Sequence, residues 1–312
     1  MFSFESFLDL PLIFAPSDKC RDRMMNSIAP FWDGNETWLV MGGGGLFAAF
    51  PLAYAVVMPA LYIPVILMLL GLIFRGVAFE FRFKASGKSK RIWDYAFHFG
   101  SLGAAMMQGM FLGGFVQGIE VQGRSFAGGQ LDWLSAFSVM TGLALVCGYA
   151  LLGSTWLIMK TDEVTQEWAR QCASYVLALV AVFMGLVSLS MPFMNAGVKN
   201  FWFSLPNLFF LLPMPLLSVL AVIWLWRDLH SGGEYRPFFL SLGIFLLNYI
   251  GLGLSLWPWI VPYRIDIWQA AAAPESQSLL LVGTVIMLPL VLTYTGYCYY
   301  IFRGKTSHES TY

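Results

Sequence analysis

The chain has 312 residues, 58% hydrophobic and only 12% charged, with a mean hydropathy of +0.67. Soluble domains carry about 25% charged residues, so this composition excludes an ordinary soluble protein and marks an integral membrane one. The formal net charge is zero, which leaves no basic excess for nucleic acid.

The first 36 residues read as a cytoplasmic or interfacial segment. Phe7 to Ala15 is apolar, but Glu5 and Asp9 interrupt it, it is too short to span, and it lacks the positive leader of a signal peptide. A transmembrane helix needs about 20 apolar residues. Eight candidates follow, over 37–57, 58–79, 97–119, 133–158, 173–194, 204–226, 237–258 and 278–302. Seven hold no Asp, Glu, Lys or Arg; the exception, 58–79, has Arg75 near its end, within snorkelling reach of the interface. The expected fold is an all-α polytopic membrane bundle of about eight helices, a single domain over 1–312. Its parts are the segment 1–36, the bundle 37–302 and the polar tail 303–312. Loops at 120–132 and 259–277 connect spans on one side.

Lys and Arg divide between the two sides. Lys19, Arg21, Arg23, Arg75, Arg82, Lys84, Lys88, Lys90, Arg91, Lys160, Arg170, Arg227, Arg236, Arg303 and Lys305 fall on one side, and Arg124, Lys199 and Arg264 on the other. The positive-inside rule puts the first side, with both termini, in the cytoplasm. Trp32, Trp38, Trp93, Trp133, Trp156, Trp202, Trp224, Trp226, Trp257 and Trp259 fit aromatic belts at span ends. Cys20, Cys147, Cys172 and Cys298 are scattered without metal-ligand spacing, and they read as reduced, structural thiols.

The most informative stretch is Trp32-Asp33-Gly34-Asn35-Glu36-Thr37-Trp38-Leu39-Val40-Met41-Gly42, continued by Gly43-Gly44-Gly45 and Leu46-Phe47-Ala48-Ala49-Phe50-Pro51. It sets two carboxylates and two indoles at the entrance of an apolar span. A second stretch is Leu72-Ile73-Phe74-Arg75-Gly76-Val77-Ala78-Phe79-Glu80-Phe81-Arg82. Together these resemble subunit II of the cytochrome bd-type quinol oxidases, in particular the cyanide-insensitive branch. The resemblance runs from Ala15 to about Phe302; of the acidic segment that follows the family's first helix, only Phe7-Leu8-Asp9-Leu10 is an echo. That first helix is therefore expected to be missing here.

The resemblance implies a membrane quinol:oxygen oxidoreductase, a terminal oxidase of aerobic respiration and electron transport in the bacterial inner membrane. Quinol is oxidised and dioxygen reduced to water, with protons drawn from the cytoplasm. Haems b and d, with their iron, would be ligated by subunit I, the heterodimer partner. A small single-helix subunit, membrane lipids and a quinone held as a structural lipid are further expected partners. This chain would have no catalytic residue and no metal of its own.

Asp33 and Glu36 share a helix face, and two readings stand beside each other. One is a capping arrangement, with Asp33 on backbone N–H groups and Glu36 answering three residues on. The other, which the resemblance favours, is proton entry at Asp33, Glu36 and Trp32. Gly42 to Gly45 read as a close-packing surface, internal or against a partner. Arg75 and Glu80 read as interface anchors or a local ion pair, with contact to a haem propionate or lipid headgroup across a subunit interface as the second reading. Of His98, His230 and His308, only His98 is near a span. An axial pair of imidazoles would need two, so this chain is expected to ligate no haem. Asp94, four residues before His98, reads as its structural hydrogen-bond partner, against a proton relay. From the residues alone a secondary transporter is the competing function, given Pro-interrupted spans, but it lacks charge at mid-depth. A plain scaffold is the third reading.

Overall fold

The computed structural model describes residues 15–306, apart from residues 195 and 206 and the side chains of residues 33, 35, 36 and 196. Its helices, in chain order, are α1 (Asp18–Ile28), α2 (Trp32–Ala49), α3 (Pro51–Ala60), α4 (Tyr62–Lys84), α5 (Lys88–Gln117), α6 (Ala136–Lys160) and α7 (Glu163–Met194). Then come α8 (Ala196–Phe203), α9 (Asn207–Leu211), α10 (Pro213–Ser231), α11 (Arg236–Leu256), α12 (Ile267–Ala270) and α13 (Pro274–Ile301). Two short antiparallel pairs sit in the loops at 120–132 and 259–277. β1 (Val121–Gln122) pairs with β2 (Ser125–Phe126), and β3 (Trp259–Val261) with β4 (Ile265–Asp266). The β1–β2 turn uses Gly123 at φ +64°, a left-handed backbone that suits glycine.

Among the described residues seven helices are long and apolar enough to cross a membrane: α4, α5, α6, α7, the run from Asn207 to Ser231, α11 and α13. The expected span over 37–57 is not one helix. Pro51 disfavours helical geometry at the residue before it, and Phe50 is non-helical (φ −135°, ψ 64°). The proline then opens α3, where its missing N–H costs nothing. Yet α2 still runs the length of the bundle. At its start Phe31 stacks on Tyr299, with centroids 4.5 Å apart. At its end the Ala49 carbonyl accepts from the Ala272 N–H at 2.9 Å. Those contacts lie at opposite ends of α13, so the chain traverses the bundle eight times, counting α2 with the seven. Residues 15 and 306 lie at the same end, which carries most of the Lys and Arg; this is called the inner end.

Antiparallel neighbours α4, α5, α6 and α7 pack in series, α6 also meets α11, and α10 packs on α11. Glycines set the two tightest crossings. A Cβ on Gly71 would lie 2.7 Å from the Gly100 carbonyl, and one on Gly100 would lie 2.8 Å from the Gly71 carbonyl. One turn-set outward, a Cβ on Gly109 would lie 2.6 Å from the Gly142 Cα. Small residues let membrane helices approach this closely and gain dispersion contacts that lipid cannot supply. Gly42 to Gly45 behave differently: nothing lies within 4 Å of a Cβ built at any of them. The internal-packing alternative for them is corrected, because α2 touches the bundle at its ends and leaves this stretch facing outward.

Two tryptophans assigned to belts are also corrected. Trp133 and Trp156 are buried, the first in an outer cluster with Leu61 and Val261, the second in an inner cluster with Phe31 and Phe238. All four cysteines are free thiols.

Candidate functional site

The inner end is closed by α1. Its N-cap is Ser17, whose Oγ accepts from the Cys20 N–H at 3.2 Å. Met24, Met25 and Ile28 are buried, and Arg21 and Arg23 are buried beside them. Buried guanidinium groups require partners, and each has one. Arg23 pairs with Asp162 at 2.8 Å and donates to its carbonyl at 3.3 Å. Arg21 pairs with Asp18 and lies 3.6 Å from Asp94. Asp94 on α5 also takes a direct bond from Arg82 of α4. Arg82 reaches on to Asp22 at 2.9 Å, and Lys90 holds the same carboxylate at 2.7 Å. Among the described residues Arg21, Arg82 and Lys90 form one connected network with Asp18, Asp22 and Asp94, and Arg23–Asp162 is a separate pair; together they tie α1 to α4, α5 and the loop at Asp162. Arg21 holds the Asp18 carboxyl below its ordinary pKa through that hydrogen bond. In the sequence Arg21, Arg23 and Arg82 carry only a topology signal, and the aspartates interleaved with them are the clue to their pairing.

Above this mouth the interior stays polar. Arg75 is 1% exposed and stands over the Phe97 ring, 5.8 Å from its centroid. Because α4 continues to Lys84, Arg75 lies nine residues inside the helix end, not at an interface. The expectation of a snorkelling anchor is therefore corrected. Glu80 is exposed and lies on a different face of α4, so the geometry does not bring it to Arg75. His98 on α5 is buried, and Asp94 gives its oxygens to two arginines; the expected Asp94–His98 hydrogen bond is not among the contacts of the described residues. Tyr149 of α6 is 1% exposed and donates to the Gln108 side-chain oxygen of α5 at 2.8 Å.

Trp32 is half-buried and packs on α4: its ring is 5.0 Å from that of Phe79, and Gly76 beside it leaves the room. The backbone of Asp33 and Glu36 belongs to the first turns of α2, while their side chains lie outside the described residues. His230 is exposed at the inner end of α10, with Nδ1 2.7 Å from the Trp226 carbonyl, and His308 lies outside the described residues. No cluster of three or more His, Cys, Asp or Glu able to hold a metal occurs among the described residues.

The sequence model of the cytochrome bd terminal oxidase subunit II family matches residues 7–302. The chain belongs to that family. It is 26% identical to cytochrome bd-I ubiquinol oxidase subunit 2 of Escherichia coli K12, over 94% of this chain and 86% of the relative. It is 27% identical to cytochrome bd ubiquinol oxidase subunit 2 of Bacillus subtilis 168, over 92% of this chain and 85% of that one. Among solved structures, the bd oxidase from Geobacillus thermodenitrificans superposes with a TM-score of 0.79 over 97% of this chain and 94% of the other, at 9% identity. The shared fold is that polytopic bundle. The resemblance carried by the two motif stretches is thereby established, and nothing in the comparisons favours the transporter alternative. The chain is subunit II of a terminal oxidase of the cytochrome bd class, an inner-membrane oxidoreductase complex that contains haem and subunit I.

Proposed function

We propose that this chain is the subunit of a quinol:dioxygen oxidoreductase that ligates no haem. It carries subunit I, which holds haems b and d, shields those haems from lipid and water, and admits protons from the cytoplasm at its inner end. The family membership over residues 7–302 is the observation that carries the reading. The histidine distribution supports it, since His98 is the one buried imidazole among the described residues and an axial pair needs two. The inner end is cytoplasmic on the weight of its basic residues.

Asp33 and Glu36, beside Trp32, are the proposed proton entry, at the start of α2 where the helix dipole favours carboxylates. Glu80, exposed on α4, and the outward Gly42–Gly45 stretch are the proposed contacts with subunit I or a small single-helix subunit. Arg75 is proposed to act on the haem side through its fixed charge. Membrane lipid and a quinone held as a structural lipid fill outward grooves along α13, a helix with no buried residue.

The test of the proton-entry role is Asp33→Asn in the assembled complex. Turnover lowered at unchanged haem content supports it; turnover unchanged reduces Asp33 to a helix cap.

A further inference from the structure

The buried face of α5 carries polar groups at a helical repeat: Asp94, His98, Ser101 and, past Ala105, Gln108. Spacings of four, three, four and three residues keep one face of a helix in line. The file starts in the ionic mouth, where Asp94 is bound, and rises about 21 Å at 1.5 Å per residue. It ends at the Gln108–Tyr149 hydrogen bond of 2.8 Å, eight residues along α5 from Gly100, against which the Arg75 backbone packs. Gln108 is half-buried, so the file opens sideways there.

Ser101 is the unusual member. Most buried hydroxyls in the spans bond a carbonyl three or four residues back in their own helix. Thr141 does so to Ser138 at 2.8 Å, Ser154 to Ala150 at 2.7 Å, Thr155 to Leu151 at 2.9 Å, Ser218 to Met214 at 3.0 Å and Ser241 to Phe238 at 2.8 Å. Thr165, in the first turn of α7, bonds the Cys20 Sγ instead at 3.4 Å. Ser101 is 0% exposed, and its Oγ has no hydrogen-bond partner among the described residues. A buried hydroxyl turned away from its own helix keeps both a donor and an acceptor for something in the file. A purely structural serine at this site would bond back like the others.

We propose that His98, Ser101 and Tyr149, with Gln108 holding the Tyr149 hydroxyl in place, form a proton path from the ionic mouth to mid-depth of the bundle. This rests on the oxidase reading above and names residues on α5 and α6 for proton delivery, apart from the carboxylates at the start of α2. Imidazole and hydroxyl groups each accept and donate one proton. A proton taken up at the mouth is therefore passed by a concerted shift, each group releasing one as it receives one, and the last proton leaves the Tyr149 hydroxyl for water at half-buried Gln108, where the file opens. No group beside the fixed Arg75 charge then carries a lasting second charge. His98 and Ser101, three residues apart on a helix, have Cβ atoms about 5–6 Å apart, a gap that one bridging water closes; Ser101 and Gln108 are seven residues, about 10.5 Å of rise, apart, so the step past Ala105 to Tyr149 takes more than one water.

The test uses the assembled oxidase. Wild type, Ser101→Ala, Ser101→Thr, His98→Phe and Tyr149→Phe are purified with the haem-bearing chain. Quinol-driven oxygen uptake, haem reduction by quinol and single-turnover proton uptake are measured in H2O and D2O. Ser101→Ala removes one hydroxyl and favours the helix, so it isolates the relay from folding. Proton uptake slowed about 10-fold in Ser101→Ala and His98→Phe, with an enlarged solvent isotope effect, unchanged haem reduction and recovery in Ser101→Thr, supports the path. Wild-type proton uptake and isotope effect in Ser101→Ala and His98→Phe, at full haem content, overturn it while the oxidase reading stands. A wild-type preparation without haem overturns both.

Discussion

Asp94 is the residue on which the inner mouth depends. It is buried and answers both Arg82 and Arg21. Breaking a buried ion pair from one side leaves a desolvated charge, which costs about 3–5 kcal/mol. Asp94→Leu is therefore expected to lower the thermal midpoint of the detergent-solubilised complex sharply. Adding Arg82→Met should recover most of the loss, because the pair removed together leaves apolar packing of similar volume. The double variant melting no higher than the single one would contradict the pairing. At this scale the sequence was a partial guide. Asp94 and His98 are recognisable as a polar pair, but the partners of Asp94 lie on α1 and α4, and no local spacing reveals which arginine a carboxylate meets across 12 residues. Arg75 was read as an anchor because hydropathy placed the span end too early; the helix runs on to Lys84.

At the scale of elements, two kinds of glycine make opposite predictions. Gly109→Val drives a side chain into the Gly142 backbone at a tight crossing, so the chain is expected to fail to accumulate in the membrane. Gly43→Ala meets nothing within 4 Å in this chain, so accumulation is expected to be unchanged and any effect to fall on assembly with a partner. Quantitative immunoblots of membranes separate the two, and equal accumulation of both variants would contradict the packing account.

The tail makes a third prediction. α13 has no buried residue, so its inner end is held by a strap: Thr306 N–H donates to the Lys160 carbonyl at 2.9 Å, Lys160 Nζ donates to the Phe302 and Gly304 carbonyls, and Lys305 pairs with Glu234 at 3.0 Å. The hydrogen bond from Lys305, with a second from Gln166, holds the Glu234 carboxyl below its ordinary pKa. A depressed carboxylate contributes above its free pKa and loses that contribution as pH falls through the depressed value. Protection of the Thr306 amide from hydrogen exchange, corrected for intrinsic rate, is expected to fall on acidification in wild type and to stay flat in Glu234→Gln. A wild-type profile that is equally flat would contradict the strap.

For the whole molecule, hydropathy and charge partition made the all-α bundle and its eight passages legible, since lipid demands apolar length and internally bonded backbone whatever the packing. What they could not give was continuity: Pro51 splits the run 37–57 into α2 and α3, because apolar content says nothing about where a helix stops. The outward face of α2, the unburied α13 and the exposed Glu80 are surfaces without internal packing, open to lipid or to another chain.

The central claim is that this chain works only as the haem-free half of an oxidase. Its most direct test is to purify the tagged chain from its native membrane in mild detergent and record the reduced-minus-oxidised visible spectrum, with the co-purifying chains identified by mass. Haem b and haem d bands that appear only together with a second, larger membrane chain are the predicted result. Haem bound to this chain alone, or a colourless chain that captures no partner, would contradict the account.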